Sequence, residues 1–266
     1  MILVSGQILT ADQYDSFSGS GAYAPVIIRS MAESQEQFAY PTRDELRFEI
    51  RMRSRTIDAA RALLDSGAAF ATFYYSACNE HFWTLTGDGG FELNRGVSPA
   101  DAIDDIFKNG EQYAFECATA MMIIFYKALI DTIERERFNQ TFQHLFLWDW
   151  QNHPFFPLRN AYHVGAGIPG DVRYFKNPQV NPQTPQWQGE NVVDLSGRLY
   201  YGHGIGILPA EQMIAELNKY RRIGATVSAF LMNQATRPDY LSLAALGSEQ
   251  RSGDIRITAG TSSYTF

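Results

Sequence analysis

The stretch 113–133, "YAFECATAMMIIFYKALIDTI", constrains the fold more than any other. Residues 117–126 form the longest apolar run in the chain. An α-helix that is apolar on every side must be buried on every side, so the rest of the chain has to wrap around it. Lys127 and Asp131 interrupt the run, and it falls short of the ~20 residues needed to span a bilayer. The stretch is therefore the axis of a water-soluble core. With 266 residues and 45% hydrophobic content, the chain can build one large core.

Turn and cap signals divide the rest. "TRDE" at 42–45 is a capping box that opens a helix reaching about Ser66, where Gly67 ends it. "SPADAIDDIFKNG" (98–110) is a second helix, with Pro99 in its first turn and Gly110 at its end. The apolar stretch continues as a helix to about Arg135. "AFATFYYS" (69–76) and "EHFWTLT" (80–86) alternate as strands, and "GDGG" (87–90) turns the second of them into "FELN". The second half is strand-rich: "HLFLWDW" (144–150), "DVRYFKNP" (171–178), "ENVVDL" (190–195), "RLYYGHG" (198–204) and "TVSAFLMNQ" (226–234), with a helix at 209–222. "SFSGSGAYA" (16–24), residues 151–170 and the Ser/Gly/Thr-rich tail from Gly247 read as loops, and the tail as loose. Helices first and strands after predict an α+β class, with one compact domain over 1–246 and a tail over 247–266.

Net charge is −7, with no block of Lys or Arg, which argues against nucleic acid and anionic membranes as partners. "MILVSGQIL" lacks the basic segment of a secretory signal, so synthesis and folding are expected in the cytoplasm. The two cysteines, Cys78 and Cys117, form no disulfide framework. No CxxC, HExxH or Cys/His cluster marks a metal site, and no cofactor motif is present.

Cys117 lies near the start of the apolar helix, where the helix dipole favours a thiolate and a thiolate can attack acyl groups. Burial as an ordinary core cysteine is the other reading. Glu116 and Cys117 are about 100° apart if both are helical, so they would not face each other. Glu116 then either flanks the thiol or only complements the dipole. In "QWQGENVVDLSGRLYYGHGIG", a hairpin around Ser196–Gly197 would set Glu190 opposite His203, either as an acid/base pair or as edge and turn residues. Trp148, Trp150, Trp187, Phe155 and Phe156 flank this region and are candidate walls of a substrate tunnel, or else core.

Taken together, "MILVSGQIL", "SGAAFATF", "NGEQYAFECATAMMIIFYKALIDTI", "FNQTF", "YFKNP", "QWQGENV", "HGIGIL" and "NQATR" resemble the Bacillus-type spore-associated protein-glutamine gamma-glutamyltransferases, or transglutaminases. The resemblance spans about residues 1–10 and 40–240 in unbroken order, and departs around 152–168 and after Leu246. It implies a fold similar to papain-like and NlpC/P60 enzymes, with the cysteine at a helix N-terminus packed on an antiparallel sheet. It also implies a calcium-independent, cofactor-free enzyme that joins glutamine and lysine side chains of protein substrates, coat proteins among them, at the spore coat. It implies Cys117 as nucleophile, Glu190 as its catalytic partner, Glu116 as a partly redundant one and His203 beside the site. A cysteine peptidase or amidase that passes the same thioester to water, and a non-enzymatic coat scaffold, are the competing readings.

Overall fold

The computed structural model describes residues 1–247 and the backbone of two further strands, Arg256–Ala259 and Ser262–Thr265, which pair antiparallel. The loose tail expected from Gly247 otherwise lies outside the described residues. Seven α-helices lie within 1–247: α1 (Ala24–Glu33), α2 (Arg43–Asp65), α3 (Pro99–Lys108), α4 (Cys117–Ile130), α5 (Arg135–Thr141), α6 (Ala210–Asn218) and α7 (Tyr240–Gly247). The class is α+β, as the sequence predicts.

Helix α4 is the predicted axis. Thirteen of its fourteen residues are buried. It packs on α2, on α3 and on the strand Gly189–Asp194. Each large apolar side chain buried this way contributes roughly 1.5–3 kcal/mol. Lys127, the exception, sits between Asp104 (3.1 Å) and Asp131 (2.7 Å), so its charge reaches the surface already partnered.

The sheet behind α4 has seven strands, antiparallel throughout. Across it run Gly206–Pro209, Leu199–Gly202, Gly189–Asp194, Val172–Lys176, Gln234–Pro238 and Leu158–Tyr162, with Phe230–Leu231 also pairing on Val172–Lys176. The strand Gly189–Asp194, which carries Glu190, is therefore paired on both sides and fixed in place. A smaller sheet contains the predicted hairpin, with Trp83 opposite Leu93 across the 87–90 turn.

The capped helices lie where their signals put them. Thr42 caps α2 with the reciprocal Glu45 contact, and the Ser98 hydroxyl accepts the Asp101 N–H at the start of α3. Other elements differ. The apolar helix begins at Cys117, because Ala114–Phe115 is extended and pairs in parallel with Ala69–Phe70. It stops at Ile130, and α5 follows as a separate helix. The strand expected over 69–76 ends at Phe70, where the chain turns into a 3₁₀ helix, Phe73–Tyr75. The strand expected over 144–150 shortens to Phe146–Leu147. "SFSGSGAYA" is not a loop: the 3₁₀ helix Ala11–Ser20 leads into α1, and both bury apolar residues in a second core. The 151–170 segment contributes the edge strand Leu158–Tyr162.

A buried ionic network ties these parts together. Arg53 of α2 donates to Glu49 (2.8 Å) and Asp171 (2.7 Å), and Arg237 donates to Asp171 and Glu36. Flanked by the Arg53 and Arg237 guanidiniums, the Asp171 carboxyl is held down at about 2 despite burial. The network joins the N-terminal segment, α2 and the sheet through residues far apart in sequence.

Candidate active site

The site forms where α4 begins. Glu116 has extended backbone geometry, φ −83° and ψ 160°, and is the N-cap of the helix. The 100° rule for two helical residues therefore does not apply, and the expectation that Glu116 and Cys117 face apart is corrected. As a cap, the Glu116 side chain folds back over the first turn. Its Oε2 accepts the Ala118 N–H at 2.7 Å, and its Oε1 accepts the Cys117 S–H at 2.9 Å.

Cys117 is the first residue of the helix and only 4% exposed, yet its side chain lines a cleft of about 550 Å³. The expected lowering of its pKa is also corrected. Burial pushes the thiol well above its usual range, the carboxyl groups of Glu190 and Glu116 push it further, and the backbone N–H of Asn191 pulls the other way. The resting sulfur is a thiol, and attack requires its proton to leave.

Glu190 sits behind this pair, 1% exposed. Its Oε1 has no hydrogen-bond partner among the described residues. Burial raises its pKa well above the carboxylate range, the Glu116 charge raises it further, and the His203 backbone N–H counters in part. Burial and the neighbouring carboxylate thus both favour the protonated form of this carboxyl. Room for it comes from Gly202 on the neighbouring strand: a Cβ there would lie 2.9 Å from Glu190 Cγ. The hairpin register differs by one residue from the expected one. Val192 pairs with Gly202 and Asp194 with Tyr200, because the loop is closed by Leu195 N–H donating to Leu199 O and centres on Gly197. Glu190 therefore does not sit opposite His203.

His203 is 2% exposed and its ring stacks on Phe115, with centroids 4.6 Å apart. Nε2 lies 3.1 Å from the Ala69 carbonyl oxygen and Nδ1 lies 3.1 Å from the Tyr201 hydroxyl. A carbonyl can only accept, so Nε2 carries the hydrogen and Nδ1 accepts from Tyr201. Burial lowers the imidazole pKa to about 4. His203 is a neutral strut, with both ring nitrogens engaged away from the sulfur.

The five aromatic candidates separate. Trp150 lines the cleft. Trp187 lies beside it, between Pro185–Gln186 and Gln188 of the lining, stacked on Tyr220 (4.4 Å) and packed near Phe70 (5.6 Å). Trp148 packs on Phe73, which lines the cleft, and donates its N–H to Asp88 O. Phe155 is exposed and packs on His153. Phe156 is fully buried against Phe125 and Tyr126, so it is core and not a tunnel wall.

Two residues of the site went unassigned in the sequence. Asn191 lines the cleft and donates from Nδ2 to the Cys117 sulfur at 3.4 Å. Tyr174 is paired opposite Asn191, and its hydroxyl occupies the space a Cβ at Gly189 would take, 2.1 Å away. Burial raises the Tyr174 phenol to about 12, and the charges of Cys117, Glu190 and Glu116 add to it, so it remains a neutral hydroxyl at the cleft. The quoted "YFKNP" and "QWQGENV" contained both residues. Their pairing on adjacent strands was the available signal.

Among the described residues, no group of three or more His, Cys, Asp or Glu is arranged to hold a metal ion, and no helix is long and apolar enough to cross a membrane. A sequence profile of the family described as protein-glutamine gamma-glutamyltransferase matches residues 1–247. The chain is 42% identical over 243 residues to the protein of that name from Halalkalibacterium halodurans, covering 91% of this chain and 84% of the relative. It is 42% identical over 245 residues to that of Bacillus subtilis, covering 91% and 98%. Among solved structures it is similar to a transglutaminase from Geobacillus stearothermophilus without its C-terminal extension. The TM-score is 0.75 and the identity 46%, covering 78% of this chain and 99% of that one.

Proposed function

Because this chain belongs to the protein-glutamine gamma-glutamyltransferase family, an acyltransferase family acting on protein glutamine, we propose how its own residues divide that reaction. Cys117 attacks the side-chain amide carbon of a substrate glutamine. Glu116 is positioned to receive the thiol proton, since its Oε1 already accepts the S–H bond. Glu190, kept protonated by burial, gives its proton to the departing ammonia and takes one back from the incoming lysine amine. A thioester on Cys117 links the two halves, and the product is an isopeptide bond between glutamine and lysine side chains.

The observation that carries this reading is the contrast between the two carboxyls. One is hydrogen-bonded to the sulfur and capping the helix. The other is buried with an orphaned oxygen. Acyl transfer needs a proton acceptor and a proton donor, and this pair supplies both: Glu116 bonded to the sulfur, and Glu190 near enough for its carboxyl to raise the thiol. In this reading calcium plays no part in the reaction, which activity in excess EDTA would bear out. His203 holds the wall formed by Ala69 and Tyr201 and carries no proton in the reaction.

The substrates are proteins with accessible glutamine and lysine. The reading extends to spore-coat proteins, with the enzyme made in the cytoplasm and laid down with them. Immunolabelling of the coat layers of spores tests that extension. The activity is tested by incubating the purified protein with a glutamine-bearing protein and a primary amine in excess EDTA. Ammonia release, amine incorporation and SDS-resistant oligomers are expected, and all three should vanish in Cys117→Ala. Ammonia release without amine incorporation would instead identify a hydrolase.

A further inference from the structure

Attack on an amide places negative charge on its oxygen, and that oxyanion needs preorganised donors about 3 Å away. The first turn of a helix ordinarily offers backbone N–H groups for this purpose. Here one of them is occupied: the Ala118 N–H already binds Glu116 Oε2 at 2.7 Å. A hole made from the helix start alone is therefore short of a donor.

The missing donor lies across the cleft. Asn191 Nδ2 donates to Cys117 Sγ at 3.4 Å and lines the same cavity. An oxygen on a carbon newly bonded to that sulfur comes within reach of the same N–H group. The residue sits on Gly189–Asp194, a strand paired on both sides, with Asn191 itself held opposite Tyr174. A carboxamide there is rigidly placed and does not titrate. Between two carboxyl groups and a sulfur, a neutral donor can stabilise negative charge without exchanging protons with it.

We propose that Asn191 is a catalytic residue whose side-chain N–H group stabilises first the nascent thiolate and then the oxyanion of both tetrahedral intermediates. The proposal rests on the transferase reading above. In the first half, the thiol proton passes to Glu116 and the sulfur lone pair forms the S–C bond. The carbonyl π pair moves to oxygen, where Asn191 holds it. The pair then returns, the C–N bond breaks, and the leaving nitrogen takes the Glu190 proton and departs as ammonia. In the second half, the lysine nitrogen bonds to the thioester carbon and loses its proton to Glu190, and the oxyanion re-forms on Asn191. Its collapse breaks the S–C bond, and the sulfur recovers its proton from Glu116.

The test compares wild type with Asn191→Ala and the near-isosteric Asn191→Leu in two measurements. One is steady-state amine incorporation and ammonia release with a glutamine-bearing protein. The other is the pH dependence of Cys117 alkylation by iodoacetamide, which needs no turnover. Loss of one oxyanion donor is expected to lower kcat about 10²–10³-fold, with KM within about threefold. Removing a donor to the thiolate moves the alkylation profile to higher pH in both variants. A kcat within about threefold of wild type, or an unmoved alkylation profile, in either variant that keeps the parental melting temperature overturns the proposal. If wild type itself releases no ammonia, the transferase reading fails, and the alkylation profiles still decide whether Asn191 supports the thiolate.

Discussion

Asp194→Asn should stabilise this protein at neutral and alkaline pH, and the size of the effect follows from its surroundings. Asp194 ends the strand that carries Glu190 and Asn191 and is only 7% exposed. Its pKa is raised from 3.8 to about 6. Burial is the main cause and Asp171 adds to it, while the Ser196 N–H, Arg173 and Arg53 pull the other way. The nearby Tyr200 phenol is itself raised by Asp194. A folded pKa above the unfolded one means that this carboxyl favours the fold fully below about pH 3.8. The contribution is lost as pH rises through about 6. At pH 8 the folded state carries a buried charge that the unfolded chain would hydrate. The gap between 3.8 and about 6, at about 1.4 kcal/mol per pH unit, amounts to about 3 kcal/mol. Asparagine keeps an oxygen for the Ser196 N–H and cannot ionise. Urea denaturation should therefore show Asp194→Asn more stable by up to about 3 kcal/mol at pH 8, with the difference shrinking below pH 6 and gone near pH 4. A difference independent of pH, or a variant less stable at pH 8, would refute the reasoning.

Glu190→Gln should lower kcat about 10²–10⁴-fold, the usual worth of a positioned proton carrier. Because the Glu190 carboxyl pushes the thiol up, its loss should also move the alkylation profile of Cys117 to lower pH, read with iodoacetamide; full activity in this variant alongside loss in His203→Ala would favour a cysteine–histidine hydrolase. The His203 ring resonances, followed by NMR, should titrate with a midpoint of about 4, and a midpoint above 6 would contradict the buried, neutral tautomer. Arg53→Met removes the Glu49 ion pair and one of the two guanidiniums on Asp171, leaving Arg237 on it, and should cost about 3–5 kcal/mol of stability in urea, as removing one partner of a buried ion pair does. Gly202→Ala pushes a methyl against Glu190, so activity should fall far more than the melting temperature, measured by amine incorporation and calorimetry.

The parts of the fold that the sequence made legible are those with local punctuation. Thr42 with Glu45, Ser98 with Pro99, and the 87–90 turn each fix an element boundary through bonds within a few residues. The start of α4 was harder to read, because Ala114–Phe115 is extended only by pairing with Ala69–Phe70, about forty-five residues away. Pairing over such a distance leaves no local mark. The same applies at the site. Glu116 and Cys117 were visible as neighbours, but the capping geometry that turns the carboxylate onto the sulfur depends on where the helix begins. Asn191 stands beside Glu190 in the sequence, but its contact with the sulfur depends on the strand Gly189–Asp194 being set against the start of α4. Phe156 shows the limit of adjacency in sequence: it turns into the core while its neighbour Phe155 stays in solvent.

The sulfur sits at residue 117, whereas the buried acid, the amide donor and most of the far wall of the cleft come from positions beyond 170. A chain still emerging from the ribosome thus holds its reactive atom long before the partners that arm it. The complete site needs the strand Gly189–Asp194, held between its two neighbours, in place against α4. The order of the residues along the chain thus makes the site a product of the whole fold rather than of the segment that holds the sulfur.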